Sequence, residues 1–388
     1  MRKVTLPIIL IGLLSACSHD RSQYIKETTL VETVNVRATV DTIRILLDSI
    51  GLNSYIDFSY FITSDKEYFL GRNNSGKCFD LFDLTSRKFV THIFLKDEND
   101  LIADVKAVKA IDFDNILVML RGKLLTIDSS GVIKQTIDLY KIMGADFERL
   151  GDPAVHNHFP LNYLPSEQGG TTLFYSHRST SNYVGKDVVL EFDHNANKLT
   201  LLPIKYSPYY SDKDGYLGYL TYINFGDATI DYIYYNFAYE SNLYRFNRHN
   251  QQSEVFGGEV HGVRPLATAL ESPNEDQQQW TTHAIENAHY FRPLYDQFRH
   301  LIYRPVWKDI KYEREDSYFN DFIDKNLVIS VFDDHGMKPI ANHTLPPMRY
   351  AIHKWFVSKD GLALSPTHPE NKNVKKNTLE LHVFRFEN

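Results

Sequence analysis

A short unit recurs along this chain and narrows its fold more than any other feature. Two or three strand-forming residues lead into an aromatic or aliphatic residue, then Asp or Asn, a polar turn and a second strand. It reads LFDLTSRKFV at 81–90, TIDSSGVIKQ at 126–135, EFDHNANKLT at 191–200, RFNRHNQQSEVF at 245–256 and VFDDHGMKPI at 331–340, with a truncated FRFEN at 384–388. Hairpin chemistry explains the pattern. Asp or Asn at a strand end bonds the backbone two residues on, and Gly or Asn then supplies φ > 0. Asp83, Asp128, Asp193, Asn247, Asp333 and Glu387 mark the six copies, and the widest spacing separates Asn247 from Asp333.

Each marked hairpin is preceded by further strand signals, as in YFITSDKEYFLGRNNSGKCFDLFD (60–83) and ATIDYIYYNFAYESNLYRFN (228–247). Helical periodicity is scarce, and 25 Tyr with 24 Phe is a strand-rich usage. Inner strand, second strand, hairpin, third strand is the grammar of a propeller blade. Six units predict an all-β, six-bladed β-propeller; a seven-bladed ring and a stacked sandwich are the alternatives. The last unit ends without its outer strand, and the alternating segment TTLVETVNVRATV (28–40) is placed to supply it. The ring would then be closed by strands from both ends of the chain, which protects its sheet edges.

The first residues have a different character. Arg2 and Lys3 precede an apolar run from Leu6 to Leu14, too short to span a bilayer, and Leu14-Ser15-Ala16-Cys17 follows. Leu-Ser-Ala-Cys resembles the lipobox of bacterial lipoproteins, which implies cleavage before Cys17 and acylation of that residue. Residues 1–16 then form a lipoprotein signal peptide, 17–27 a lipidated cysteine with a polar tether, and 28–388 the propeller domain. Ser18 rather than Asp follows the cysteine, which favours the outer membrane, on either its periplasmic or its cell-surface face. The bilayer is thus the expected partner, through multiple acyl chains on Cys17.

With 42 basic and 49 acidic residues the net charge is −7, and no basic footprint for nucleic acid exists. Cys17 and Cys78 are the only cysteines. With Cys17 acylated, Cys78 has no intrachain partner, and its alternating context KCFDLFDL reads as a small buried side chain. The rhythm of the chain behind a lipobox resembles the six-bladed propeller lipoproteins of unknown function from Bacteroides-type bacteria. LYDQFRHLIYR (294–304) is similar to a Y-D-x-x-R-x-x-Y-Y-R element of that group through Tyr295, Asp296, Arg299, Tyr303 and Arg304, with Ile302 replacing the first tyrosine of the pair. The resemblance implies a fold and an address, and no activity.

Candidate ligand-binding residues are His156, His158, Arg178, Tyr295, Asp296 and Arg304. His156 and His158 in DPAVHNHFP would share one side of a strand, although the flanking prolines favour a loop. Tyr295, Asp296 and Arg304 are expected at the start of the fifth unit's inner strand, where Arg304 would meet a carboxylate or phosphate in the central channel or lock a turn with Asp296. ESPNEDQQQWTTHAIENA (271–288) allows an inserted helix or a long loop. SDKDGYLG (211–218), with Asp212, Asp214 and Gly215, lacks the remaining ligands of a calcium loop and reads as a turn; Tyr209, Tyr210, Tyr216 and Tyr219 around it offer an aromatic patch. No nucleophile elbow, phosphate loop, dinucleotide fingerprint or zinc pattern is present, so neither a metal nor a cofactor is expected. The expected function is a ligand- or protein-binding module, for a small polar ligand or an envelope protein. The rivals are a hydrolase or lyase using His156, His158 or Asp296 at the channel mouth, and a purely structural part of an envelope complex.

Overall fold

The computed structural model describes residues 25–26 and 38–386, apart from 97–98, 167–168, 179–184, 208–215, 222, 271, 273–275 and 317. The lipobox, Cys17, most of the tether, Tyr209, Tyr210, Asp212, Asp214, Gly215 and Glu387 lie outside the described residues.

Six antiparallel sheets follow one another around a ring. Blades 1 to 5 occupy residues 58–93, 107–138, 152–205, 223–256 and 289–344. Blade 6 is built from Trp355–Ser358, Gly361–Leu364 and Thr378–Phe386, with Ala38–Leu46 as its outermost strand. That strand pairs with Thr378–Phe386 over its whole length, from Ala38 opposite Phe386 to Leu46 opposite Thr378. Closure by both ends of the chain is therefore as expected. Of the 28–40 segment that suggested this strand, only 38–40 are described.

In blades 1 to 5 the marked turns join the third strand to the outermost strand. Asp83 Oδ1 accepts from the Ser86 N–H, Asp128 Oδ1 from Ser130 and Val132, Asp193 Oδ1 from Asn195 and Ala196, Asn247 Oδ1 from His249 and Asn250, and Asp333 from Gly336 and Lys338. The expectation of Gly or Asn at the left-handed position holds only for Gly131 and Asn197; Arg87, Gln251 and Met337 take it in the other three blades, with φ between 54° and 57°. A left-handed L-residue costs about 1–2 kcal/mol, and the carboxylate or amide that binds one or two turn N–H groups offsets it.

Each seam between neighbouring blades has its own apolar filling. Phe79 and Val118 lie in the cluster between blades 1 and 2, Leu124 and Phe174 between 2 and 3, Phe159 and Phe225 between 3 and 4, Tyr303 and Trp355 between 5 and 6, and Phe82 with Leu381 between 6 and 1. A fully buried Leu or Phe stabilises by about 1.5–3 kcal/mol. The seam between blades 4 and 5 is the exception, with a smaller cluster around Tyr234, Ile302 and Phe332. There the guanidinium of Arg304, wholly buried, lies over the Tyr290 and Phe332 rings and donates to the carbonyls of Ser241, Asn242 and Gly258.

Chain direction gives the ring two different rims. Inner strands begin at one rim, where the loops between second and third strands also lie; the marked turns occupy the other. The entry rim carries the long excursions, including the helix Gln277–Glu286 that precedes blade 5. Asp276 and Gln279 cap that helix reciprocally at its start, and at its end Lys325 Nζ donates to the carbonyls of Ala284, Ile285 and Asn287. Among the described residues no helix is long and apolar enough to cross a membrane.

Candidate functional site

Two inner strands are interrupted, and the interruptions face the ring axis. In blade 3, Asp152–Ala154 and Asn162–Leu164 both pair with Thr171–His177, leaving 155–161 as a bulge held by reciprocal backbone bonds between His156 and Phe159. In blade 5, His289–Tyr290 and Leu294–Asp296 both pair with Leu301–Trp307, leaving Phe291, Arg292 and Pro293 between them. The prolines at 153, 160 and 293 have no N–H to give a ladder, consistent with broken strands. Gly226 in blade 4 lets the second bulge come close, because a Cβ there would meet the Pro293 carbonyl oxygen at 2.2 Å.

The bulges assemble a polar cluster from five blades. The His158 ring lies 5.6 Å from that of His289 and 4.7 Å from that of His353, and 5.7 Å from His156. His353 sits just before the blade 6 inner strand in the left-handed region, at φ 61°. Arg292 Nη1 is 3.7 Å from Asp227 Oδ1, and its Nη2 donates to the Trp355 carbonyl. Asp227 Oδ2 in turn accepts from the Tyr295 N–H. Lys109, on the blade 2 inner strand, feels both Asp227 and Arg292. His289 and His353 stand near the entry rim, while Lys109 and Asp227 stand near the exits of their strands, so the cluster runs along the channel.

The hydrogen bonds assign the tautomers. Asn224 gives its amide to the Tyr290 carbonyl, so its Oδ1 accepts from His158, which therefore carries its proton on Nδ1. The His158 backbone N–H donates to His156 Nδ1, which leaves the His156 proton on Nε2. Burial holds all four imidazoles neutral. It brings His156 down to about 3 with help from His158 and His177, and His158 to about 4 against the raising Asn224 bond. His289 and His353 are also held well below the usual histidine value, by burial first and then by their cationic and imidazole neighbours. His289 Nε2 and His353 Nδ1 are buried with no hydrogen-bond partner among the described residues. Burial also lowers Lys109 and Arg292, with Asp227 opposing it in both.

The structure thus brings His156 and His158 together and disperses the other sequence candidates. Asp296 is fully buried; its carboxylate accepts from Arg299 Nη1 and the Tyr303 hydroxyl, and from the N–H groups of Phe298 and Arg299. The turn-locking pair envisaged for Asp296 exists, with Arg299 in place of Arg304. Arg304 belongs to the second strand rather than the start of the inner one, and it faces the seam between blades. Tyr295 lies in the last segment of the inner strand, stacks on Tyr234 and donates to Asp334 Oδ2. Arg178 follows the second strand of blade 3 and donates to the Asp187 carbonyl. Reading missed Lys109, Asp227, Arg292 and His353, since each is a single residue on a different blade. Pro293 directly after Arg292 was the local sign of a broken inner strand in blade 5. Two surface depressions, of about 450 and about 280 Å³, lie over blade 6 and its junction with blade 5; Ile352 and Lys354, on either side of His353, line the smaller one.

No family model matches the sequence, and no curated protein matches it in a sequence comparison. Among solved structures, it is similar to a member of the DUF4221 family from Bacteroides vulgatus, with a TM-score of 0.72 at 16% identity, over 91% of this chain and 98% of that one. It is also similar to a candidate exported protein of Bacteroides fragilis, with a TM-score of 0.55 at 11% identity, over 94% and 99% of the two chains. The resemblance to Bacteroides propellers read from the sequence is thereby borne out in architecture: the chain has the six-bladed fold of these proteins, along nearly their whole length.

Proposed function

We propose that this protein is a lipid-anchored binding module of the bacterial cell envelope, and that its propeller takes a small anionic ligand, a carboxylate or phosphate, at the channel. The observation that carries this reading is the meeting of Lys109, Arg292 and four neutral imidazoles from blades 2, 3, 5 and 6, with Asp227 of blade 4 as the carboxylate that faces Arg292 and Lys109. A rigid ring that converges cationic and donor groups on its axis suits an anion, since a guanidinium binds carboxylate or phosphate through paired N–H groups. Imidazoles titrating at about 3 and about 4 are poorly matched to proton transfer near neutral pH. That favours binding over the hydrolase or lyase alternative. The Leu-Ser-Ala-Cys17 sequence, and a structural neighbour named as a candidate exported protein, support the envelope address, with the outer membrane as the proposed location.

Two experiments test the reading. Small carboxylates, phosphates and sugar acids are screened for shifts in Tm; compounds that stabilise the wild type are expected to lose at least tenfold in affinity with Arg292→Gln. A screen without a stabilising compound, or binding indifferent to Arg292→Gln, overturns the ligand assignment. Separately, Cys17→Ala is expected to move the protein from the membrane fraction to the soluble fraction; retention in the membrane refutes the anchor.

A further inference from the structure

A second cluster of chemistry-bearing side chains lies far from the axis, on the outer half of blade 1. The strands Cys78–Asp83 and Lys88–Ile93 pair so that Asp80 stands directly opposite His92. Cys78 precedes Asp80 by two residues and therefore shares its face of the sheet. Three different donor atoms meet there. Cys78 Sγ is 3.4 Å from Asp80 Oδ1 and 3.7 Å from His92 Nδ1, and His92 Nδ1 is 2.7 Å from Asp80 Oδ1. Bonds of about 2.0–2.3 Å to a tetrahedral zinc ion require donors about 3.3–3.8 Å apart. Both sulfur distances already fall in that range, and the imidazole–carboxylate pair needs to open by about half an ångström.

The surroundings are those of a set of ligands held in place. His92 Nε2 is 2.6 Å from Asp48 Oδ2, the carboxylate–histidine arrangement that orients a ligating imidazole and leaves its other nitrogen for the metal. Asp80 Oδ2 accepts from the Tyr55 hydroxyl at 2.6 Å, Asn73 Nδ2 at 2.9 Å and the Leu52 N–H at 3.4 Å, so Oδ1 is the oxygen turned to the sulfur and the imidazole. Tyr55 reaches Asp80 by lying flat on Gly71, where a Cβ would sit 2.3 Å from its ring. Cys78 and Asp80 are fully buried, while His92 keeps 13% of its side chain exposed, which gives the cluster a route to solvent.

We propose that Cys78, Asp80 and His92 bind a zinc ion, with Asp48 orienting the histidine and the fourth position left to water. A thiolate, an imidazole and a carboxylate together favour Zn²⁺ over the hard cations Mg²⁺ and Ca²⁺. Binding replaces the S–H bond of Cys78 by an S–Zn bond and the proton shared by His92 Nδ1 and Asp80 Oδ1 by bonds from both atoms to zinc, and both protons pass to solvent. Asp48 lies on the connection from the closing strand Ala38–Leu46 to blade 1, so the ion would tie the seam at which the ring closes.

The test uses purified wild-type protein titrated with zinc and, separately, with cobalt(II), whose sulfur-to-metal charge-transfer band reports thiolate ligation and is blind to the channel imidazoles. One zinc per chain, one cobalt with that band, and a Tm lowered by chelator are expected. Cys78→Ser abolishes the band, and Asp48→Asn, at a partly exposed position, weakens affinity by about 10–100-fold. Absence of the band in the wild type, or zinc binding equal in wild type and Cys78→Ser, overturns the site and leaves a hydrogen-bonded cluster. Should Cys78→Ser not fold, the wild-type cobalt spectrum together with Asp48→Asn decides.

Discussion

His158→Asn removes one titratable group from the channel while keeping an amide able to donate to Asn224. In the unfolded chain an imidazole titrates near 6.5; in the folded protein His158 is lowered to about 4, mainly by burial. Because the folded value is the lower one, the unfolded state binds more protons between those two pH values, and stability falls as pH falls through that window. At about pH 5 an unfolded imidazole is almost fully charged and the folded one about a tenth charged, a difference of about 2 kcal/mol from this residue. Above about pH 7 the contribution to the pH dependence vanishes. Urea denaturation at about pH 7.5 and about pH 5 reads the loss for wild type and variant, and His158→Asn is expected to lose about 2 kcal/mol less. Whatever the substitution costs at neutral pH cancels in this comparison. Equal losses in the two proteins would refute the claim that the channel holds His158 neutral, as would a ring proton signal titrating near 6.5 in the folded wild type.

Arg304→Met tests whether Arg304 acts as a seam bolt rather than a ligand residue. The apolar replacement leaves the carbonyls of Ser241, Asn242 and Gly258 without their donor, so a loss of about 3 kcal/mol is expected in denaturation. Binding of any ligand found through the Arg292 screen should stay within about twofold; a large affinity loss in a stable Arg304→Met protein would return Arg304 to the site. The predictions for Arg292→Gln, Cys17→Ala and Cys78→Ser divide in the same way between channel, anchor and blade 1.

The blade pattern was legible because it is local. An Asx turn needs its Asp or Asn, its polar residues and its second strand within a dozen positions, and Asp83, Asp128, Asp193, Asn247 and Asp333 all form the turns their context announces. The missing outer strand of the last unit was legible for the same reason, since a third strand without a partner cannot end a sheet unprotected. His156 and His158 were singled out because two histidines with flanking prolines are close in sequence. Arg304 was misread because sequence gives no sign of whether a strand arginine faces the axis or a neighbouring blade.

Sequence alone therefore determined the repeat, the all-β class, the ring closed from both ends and the expectation of a lipidated Cys17, all carried by short-range chemistry. Tertiary structure alone decided which polar residues meet. Lys109, His158, Asp227, Arg292 and His353 lie on five blades, and their proximity is created only when the ring closes. Cys78, Asp80 and His92 needed the strand register, because one residue of slip would turn His92 to the other face of the sheet. Asp48 joins them only because the closing strand delivers it to blade 1.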